Sequence, residues 1–510
     1  MWQISFTNNS KNMKTKTKIN IALKIIFFTL IVGFLLYAST IVLRRKDSLY
    51  KYADFFKVAK EDQIDVLFIG SSHVINAVNP AVLYDEYGYT SYNMGGHGSL
   101  LQATYWELMQ ALEYTTPKWV VVDCYMLEKD YRYLDDRDAN PDDEEINTSI
   151  EQLHLNMDVW PLNRTKIRAV KDLISDKDLQ KEFLIDFSVY HNRWEYITED
   201  DFKSVIGSES RNELFGAEMR YDVETAPPVY DVAKNGEGLE TLTVGEGYLA
   251  GIIEECQKRN INVLVTFLPF APEPKDVLAA NSAGEIAKSY NVPYLNMLNG
   301  NVIDIYKDLN DHGHLNAVGA SKATCAIGDW LSKNSQLVDH RNDDEYAYWG
   351  ELSSNYFESL EETMLEESNI FVKLNLLSLG DYGVILYCNS GSQVFTDEPL
   401  KHVIGELAGT DTIQKTMGPY IMIYDPKSGK VYEAEGESGL TGVFTAMGEL
   451  NYEPVEQKFR RLYTSDDEET NYLYSDDHSD EDIQLIIYDK ETGEVIDQSY
   501  FTSKGGNYDG

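Results

Sequence analysis

Residues 65–80 read DVLFIGSSHVINAVNP: an apolar run from Val66 to Ile69, then Gly70, two serines, and a stretch fit to start a helix, with Pro80 behind it. A run this short, closed at once by turn residues, predicts a buried strand followed by a strand-to-helix turn in an open α/β sheet. Ligands in such sheets bind at the carboxyl ends of the strands, which is where Ser71 and Ser72 would sit. Gly70 permits the tight turn, and the first N–H groups of the following helix favour negative charge. Taken alone, Gly-Ser-Ser equally makes an ordinary turn or helix cap.

The surrounding sequence repeats the pattern. IDVLFI (64–69), TSYNM (90–94), KWVVVD (118–123), INVLVTF (261–267) and VPYLNM (292–297) are expected strands, alternating with helical stretches as in a parallel sheet covered on both faces. The expected fold is therefore α/β, a flavodoxin-like parallel five-stranded sheet over residues 55–335, closed by a helix at 316–333. An insertion at about 140–245, rich in Trp, Tyr and charge, interrupts it between the third and fourth strands, a usual place for a lid or substrate wall. Residues 336–365 read as a polar linker. Residues 366–510 read as a mostly β accessory domain, because YIMIYDPKSGKVYEAE and IQLIIYDKETGEVIDQSYF each carry a turn signal between β-rich halves.

At 510 residues, with 43% hydrophobic and 12% aromatic side chains, the chain has material for more than one core. Its formal net charge of −40 excludes nucleic acid as a natural partner, since phosphate binding needs Lys and Arg. Cys124, Cys256, Cys325 and Cys388 lie far apart without CxxC or Cys/His clustering, so they read as buried thiols, with disulfides left open. No metal or organic cofactor is expected. Ile25–Leu43 carries no charge and is long enough to cross a bilayer, behind a basic tail at 1–24. Lys11, Lys14, Lys16, Lys18 and Lys24 before it outweigh Arg44, Arg45 and Lys46 after it, which favours an anchor with the body outside over a cleaved signal peptide. The acidic runs 135–145 and 465–482 read as solvated charge rather than Ca²⁺ loops, lacking the regular ligand positions.

Two further blocks accompany the Gly-Ser-Ser turn. YNMGGHG (92–98) follows the second strand and offers Gly95 as a backbone N–H donor to a developing oxyanion. DLNDHGHLNAVGASK (308–322) precedes the closing helix and holds Asp311 three residues before His314. In a Ser-His-Asp system the histidine takes the serine proton and the aspartate fixes its tautomer, so a local Asp/His pair is a compact solution. His312 with Asp308 is the rival pair.

These three blocks resemble the SGNH (GDSL-type) hydrolase superfamily, in the branch of membrane-anchored proteins that trim or transfer acyl groups on cell-envelope polymers. The resemblance covers about residues 60–335 and implies Ser72 as nucleophile, Asp311 as orienting acid, His314 as base, and the N–H groups of Ser72 and Gly95 as the oxyanion hole. It also implies a serine esterase or O-acyltransferase working through an acyl-enzyme, and it does not separate the two. One block departs from the pattern: where the family offers Gly-x-Asn-Asp after the third strand, this chain reads VVVDCYMLEKD (120–130), with Asp123 in place of an amide donor. An ionised carboxylate repels an oxyanion.

His73 and His97 are expected to shape the pocket. In the insertion, Tyr190, His191, Arg193 and Trp194 make an aromatic and guanidinium surface of the kind that stacks on sugars, or else packs internally. The later hairpins resemble, more loosely, an interleukin-like EMT inducer (PANDER-like) domain, implying a module that binds or presents carbohydrate. The expected partners are cell-surface or exported polysaccharide and the membrane through the N-terminal helix. A competing class is a catalytically quiet scaffold of the same fold that holds polysaccharide. Every candidate catalytic residue precedes the linker, so a chain ending near 345 is expected to fold by itself.

Overall fold

The structure, a computed structural model, describes residues 5–44, 55–56, 58–60, 63–130, 133, 144–185, 187–203, 214–231, 236–298, 300–455, 459–473, 482–504 and 507–509. Parts of both acidic runs, 135–143 and 474–481, lie outside them. The described residues of 1–58, 109–114 and 131–212 form one unit, and those of 59–108, 115–130 and 213–510 form another.

In the first unit a single helix, Ser5–Leu43, carries the apolar run. The helices Glu144–Met157, Arg164–Leu173 and Lys177–Leu184 bury Leu153, Met157, Val170, Leu173 and Phe183, so the greater part of the sequence insertion is a small helical body.

In the second unit β1 (Val66–Gly70), β2 (Ser91–Gly95), β3 (Trp119–Asp123), β4 (Asn262–Phe267) and β5 (Tyr294–Asn296) pair in the order 2-1-3-4-5, all parallel. Every expected strand is present, with ends shifted by no more than two residues. β1, β2 and β3 are buried along their whole length, as strands covered on both faces must be. The order reverses beside β1, and the chain after β1 therefore opens into the crevice where such sheets hold ligands. There the helix Ser72–Ala77 begins with Ser71 as its cap, the Ser71 hydroxyl accepting the His73 N–H. Gly70 is required by space: a Cβ there would lie 2.5 Å from Val74 Cγ2 and 3.1 Å from Asp123 Cβ.

A short hairpin, β6 (Leu309–Asp311) with β7 (His314–Leu315), leads into the closing helix Ala317–Asn334. Beyond it the chain departs from expectation. Residues 347–366, read as part of a polar linker, form the helix Ala347–Glu366. Its Trp349, Leu352, Tyr356, Leu360 and Met364 recur at helical spacing and are buried, partly against the helix Pro80–Tyr87, and the Ser353 hydroxyl donates to the Ala81 carbonyl at 3.0 Å.

The region after 366 combines helices with antiparallel sheets. β8 (Gly383–Cys388), β9 (Tyr420–Asp425), β10 (Lys430–Glu435), β11 (Leu440–Thr445), β12 (Gly448–Val455), β13 (Phe459–Thr464), β14 (Ile483–Tyr488), β15 (Val495–Lys504) and β16 (Asn507–Asp509) make a six-stranded sheet, 10-9-8-14-15-16, and a three-stranded one, 11-12-13. Both expected hairpins, β9–β10 and β14–β15, are present. They use one turn chemistry: Asp425 accepts the Ser428 N–H and Asp489 accepts the Thr492 N–H, with Gly429 and Gly493 at φ +64° and +74°. The four cysteines are free thiols, three of them buried.

One buried cluster joins Ala81, Val82 and Ala317 of the parallel-sheet part with Tyr356, Leu360, Leu374, Leu386, Ile404 and Phe501 of the later part. Packing argues against the expectation that residues up to 345 fold by themselves: cutting there removes Trp349 and uncovers this apolar surface. A chain ending at 345 is predicted to bind a hydrophobic dye and to lose its cooperative melting transition, measurable by calorimetry. Native-like melting of that fragment would show that the later part only decorates the fold.

Candidate active site

The β6–β7 hairpin supplies two of the candidate residues. Asp311 opens its turn and is held there because its Oδ1 accepts the N–H groups of Gly313 and His314, each at 3.0 Å. The same oxygen lies 2.8 Å from His314 Nδ1. A carboxylate only accepts, so Nδ1 carries the proton and Nε2 keeps its lone pair. Nε2 lies 2.9 Å from Ser72 Oγ, which arrives from the other direction on the turn after β1. Ser72, His314 and Asp311 thus form one hydrogen-bonded chain across 242 residues of sequence. Ser71, bonded into its own helix end, takes no part in it.

The rival pair separates. Asp308 is fully buried, accepting the Asp304 N–H and pairing with Lys322 Nζ at 2.5 Å, while His312 is largely exposed with Nδ1 3.2 Å from Glu224.

A second charged group, which sequence reading did not single out, joins the chain. Arg220 Nη1 donates to Asp311 Oδ2 at 2.9 Å. Arg220 lies on an irregular strap, residues 214–224, fastened by backbone bonds. Phe215 accepts from Asn93 N–H (2.8 Å), Glu218 donates to Ile75 (3.1 Å), Arg220 accepts from Ala317 (2.8 Å), and Glu224 donates to Leu309 (2.8 Å). Gly216 at φ +94° is demanded here, since a Cβ would fall 2.0 Å from the Asn93 carbonyl oxygen. Phe215 itself sits at φ +48°, strained for an aromatic residue, and is stacked on Trp349 with ring centres 3.9 Å apart.

The electrostatics follow from these contacts. Burial is the largest influence on His314 and drives its pKa below the ordinary value; Arg220 and His97 push the same way, and Asp311 opposes them without prevailing. His314 is therefore a neutral imidazole at neutral pH, as a proton acceptor must be. Burial pushes Asp311 up, but His314, the Gly313 N–H and Arg220 together outweigh it and leave this carboxyl below its usual range. Replacing Arg220 with glutamine removes a cation that disfavours the imidazolium. The acid limb of the kcat/KM profile for an aryl ester is accordingly predicted to move to higher pH, and kcat to fall about fivefold, the scale of an ion pair open to solvent. An unchanged limb in Arg220→Gln would remove Arg220 from this role.

His73 is buried against the site, its ring stacked on Tyr125 at 3.5 Å, edge-on to Phe270 at 4.9 Å, and 5.4 Å from His314. Burial and then His314 hold its pKa well below normal, so it forms a neutral aromatic wall. His97 Nε2 lies 3.5 Å from Glu218 of the strap. Tyr190, His191 and Arg193 belong to the other unit, where Tyr190 donates to Asp158 at 2.7 Å and Arg193 contacts the end of the N-terminal helix.

Gly95 packs tightly on the Ser72–Ala77 helix, a Cβ there falling 2.8 Å from the Ser71 oxygen. Its N–H donates at 3.0 Å to Asn93 Oδ1, whose Nδ2 in turn holds the carbonyls of Val74 and Val78. Asn93 was not singled out from the sequence, although it stands two residues before the glycine. Asp123, at the missing amide position, spends both oxygens on backbone, accepting from Leu268 at 2.9 Å and Tyr125 at 3.3 Å; burial raises it to about 6. It ties the ends of β3 and β4 together and offers no hydrogen to an oxyanion above that pH.

No protein-family model and no curated protein matches the sequence. Among solved structures, a protein assigned as an acylhydrolase from Bacteroides fragilis NCTC 9343 aligns at 11% identity and a TM-score of 0.27, over 55% of this chain and 97% of its own. A GDSL-like lipase from Bacteroides thetaiotaomicron VPI-5482 aligns at 13% identity and a TM-score of 0.25, over 55% and 98%.

Proposed function

We propose that this chain is a membrane-anchored, extracytoplasmic serine esterase or O-acyltransferase acting on acyl esters, O-acetyl foremost, of cell-surface or exported polysaccharide. The observation that carries the reading is the Ser72–His314–Asp311 hydrogen-bonded chain at the crevice beside β1. His314 Nε2 takes the Ser72 proton as Oγ attacks the ester carbonyl, and Asp311 stabilises the imidazolium that forms. The proton then passes from Nε2 to the leaving sugar oxygen, and the acyl group stays on Ser72. Water or a second sugar hydroxyl, deprotonated by His314, attacks the acyl-enzyme and restores Ser72. The oxyanion would take the Ser72 N–H and the Gly95 N–H, the latter exchanging its bond to Asn93 for the stronger one to developing charge.

A polymeric substrate is supported by a cavity of about 520 Å³ that adjoins the loop leading to β6. Tyr306 and Thr225 line it together with His402, Glu406, Gln414 and Thr410 from the later part of the chain, a largely apolar surface with an aromatic ring on which a sugar face can stack and polar groups within reach of its hydroxyls. Neither Ser72 nor His314 lines it, so it would hold the chain away from the reacting ester. The occupied Gly95 N–H and the carboxylate at 123 favour a second reading, a quiet scaffold that holds glycan. Incubating the protein with an O-acetylated polysaccharide, with and without an acceptor sugar, tests both. Acetate released without acceptor supports an esterase, and acetyl appearing on the acceptor supports a transferase. Neither product, with retained polysaccharide binding, sinks the enzyme reading in favour of the scaffold.

A further inference from the structure

The stretch Lys18–Leu43 is a helix long and apolar enough to cross a membrane, with its side chains exposed up to Tyr37. Its uncharged part, Ile25–Leu43, rises about 29 Å at 1.5 Å per residue, close to the roughly 30 Å of a bilayer's hydrocarbon core. Leu43 therefore marks one edge of that core. Ser39 and Thr40, one turn earlier, donate to the carbonyls of Leu35 and Leu36 at 2.7 and 2.8 Å, so these hydroxyls are satisfied within the helix as lipid requires.

At this edge the helix end is gripped by its own unit. Val42 and Leu43 are only 8% exposed, and the helix packs on the turn His191–Tyr196 and the short helix Glu199–Lys203. Arg193 Nη1 donates to the terminal carbonyls of Leu43 and Arg44, supplying the cation that the negative end of a helix favours, and Nη2 lies 3.6 Å from Asp201. An arginine so bonded has its backbone within one side-chain length of the hydrocarbon edge. The same two elements present Trp194, Tyr196 and Phe202 at 63%, 73% and 58% exposure. Three open aromatic rings on two elements that pack on one helix are a liability in water, whereas Trp and Tyr concentrate at headgroup level in membranes.

We propose that Trp194, Tyr196 and Phe202 are an interfacial foot that seats this unit on the phospholipid headgroups of the leaflet from which the helix emerges. The proposal rests on the helix being a membrane span. The neighbouring Glu195 and Glu199 point to a zwitterionic rather than an anionic headgroup. Arg193 acts here as the strut that sets the height of the foot.

The full-length protein reconstituted in phosphatidylcholine vesicles, with acyl chains brominated near the headgroup or left plain, tests this. Subtracting the tryptophan emission of Trp194→Phe from that of the wild type isolates Trp194. The expected result is that the bromines quench the Trp194 emission at least about twofold, as for an interfacial indole. In Tyr196→Ser/Phe202→Ser the protein still floats with the vesicles, but this quenching weakens. Vesicle-bound protein whose Trp194 is not quenched overturns the foot and leaves these rings for a glycan or a protein. Wild-type protein that fails to float with vesicles overturns the membrane span, and the foot with it.

Discussion

Replacing Ser72 with alanine is expected to lower ester turnover by about 10⁴-fold or more while the melting temperature stays close to that of the wild type. In the proposed reaction Oγ is the atom that forms the acyl bond, and without it only binding and the oxyanion donors remain to help water attack. The side chain is only partly buried, so its loss removes little packing. Ser71→Ala is the informative partner. Its hydroxyl caps the Ser72–Ala77 helix by accepting the His73 N–H, so its removal costs about 1 kcal/mol of stability and leaves most of the activity. The two serines thus separate into a kinetic effect and a thermal one, and kinetics with calorimetry on both variants reads the difference. An inactive Ser71→Ala beside an active Ser72→Ala would move the nucleophile by one residue.

His314→Gln is expected to lose as much as Ser72→Ala, and the double variant to lose no more than either. In the proposed mechanism Oγ attacks only as its proton leaves to Nε2, 2.9 Å away, so the two side chains act as one device. Multiplying effects in the double variant would mean that His314 works apart from Ser72. His312→Gln serves as the control: its ring faces Glu224 and solvent, and its loss leaves kcat near wild type.

The parts of this account legible in the sequence are those written in local patterns. The strands announce themselves as short apolar runs, three of them closed at once by Gly70, Gly95 and Asp123, and Asp311 and His314 occupy one tight turn, so spacing alone brings them together. The rival pair Asp308 and His312, at a four-residue spacing, was the weaker match but stayed open. What separated them is burial of Asp308 under Lys322, set by the closing helix and invisible at short range. The strap carrying Arg220 has no periodicity, because its path is dictated by Gly216 against Asn93 and Phe215 against Trp349. The helix Ala347–Glu366 is a different lesson. Its apolar positions 349, 352, 356, 360 and 364 were present in the sequence at helical spacing, and the acidic residues in front of them suggested a linker instead.

The central claim is that Ser72 is activated by His314. It is tested most directly by labelling the protein with a fluorophosphonate, a reagent that modifies activated serines, and locating the adduct by peptide mass spectrometry. The account predicts one adduct, on Ser72, absent in Ser72→Ala and strongly reduced in His314→Gln. An unlabelled wild-type protein of intact fold, or labelling of Ser72 that persists undiminished in His314→Gln, would contradict it.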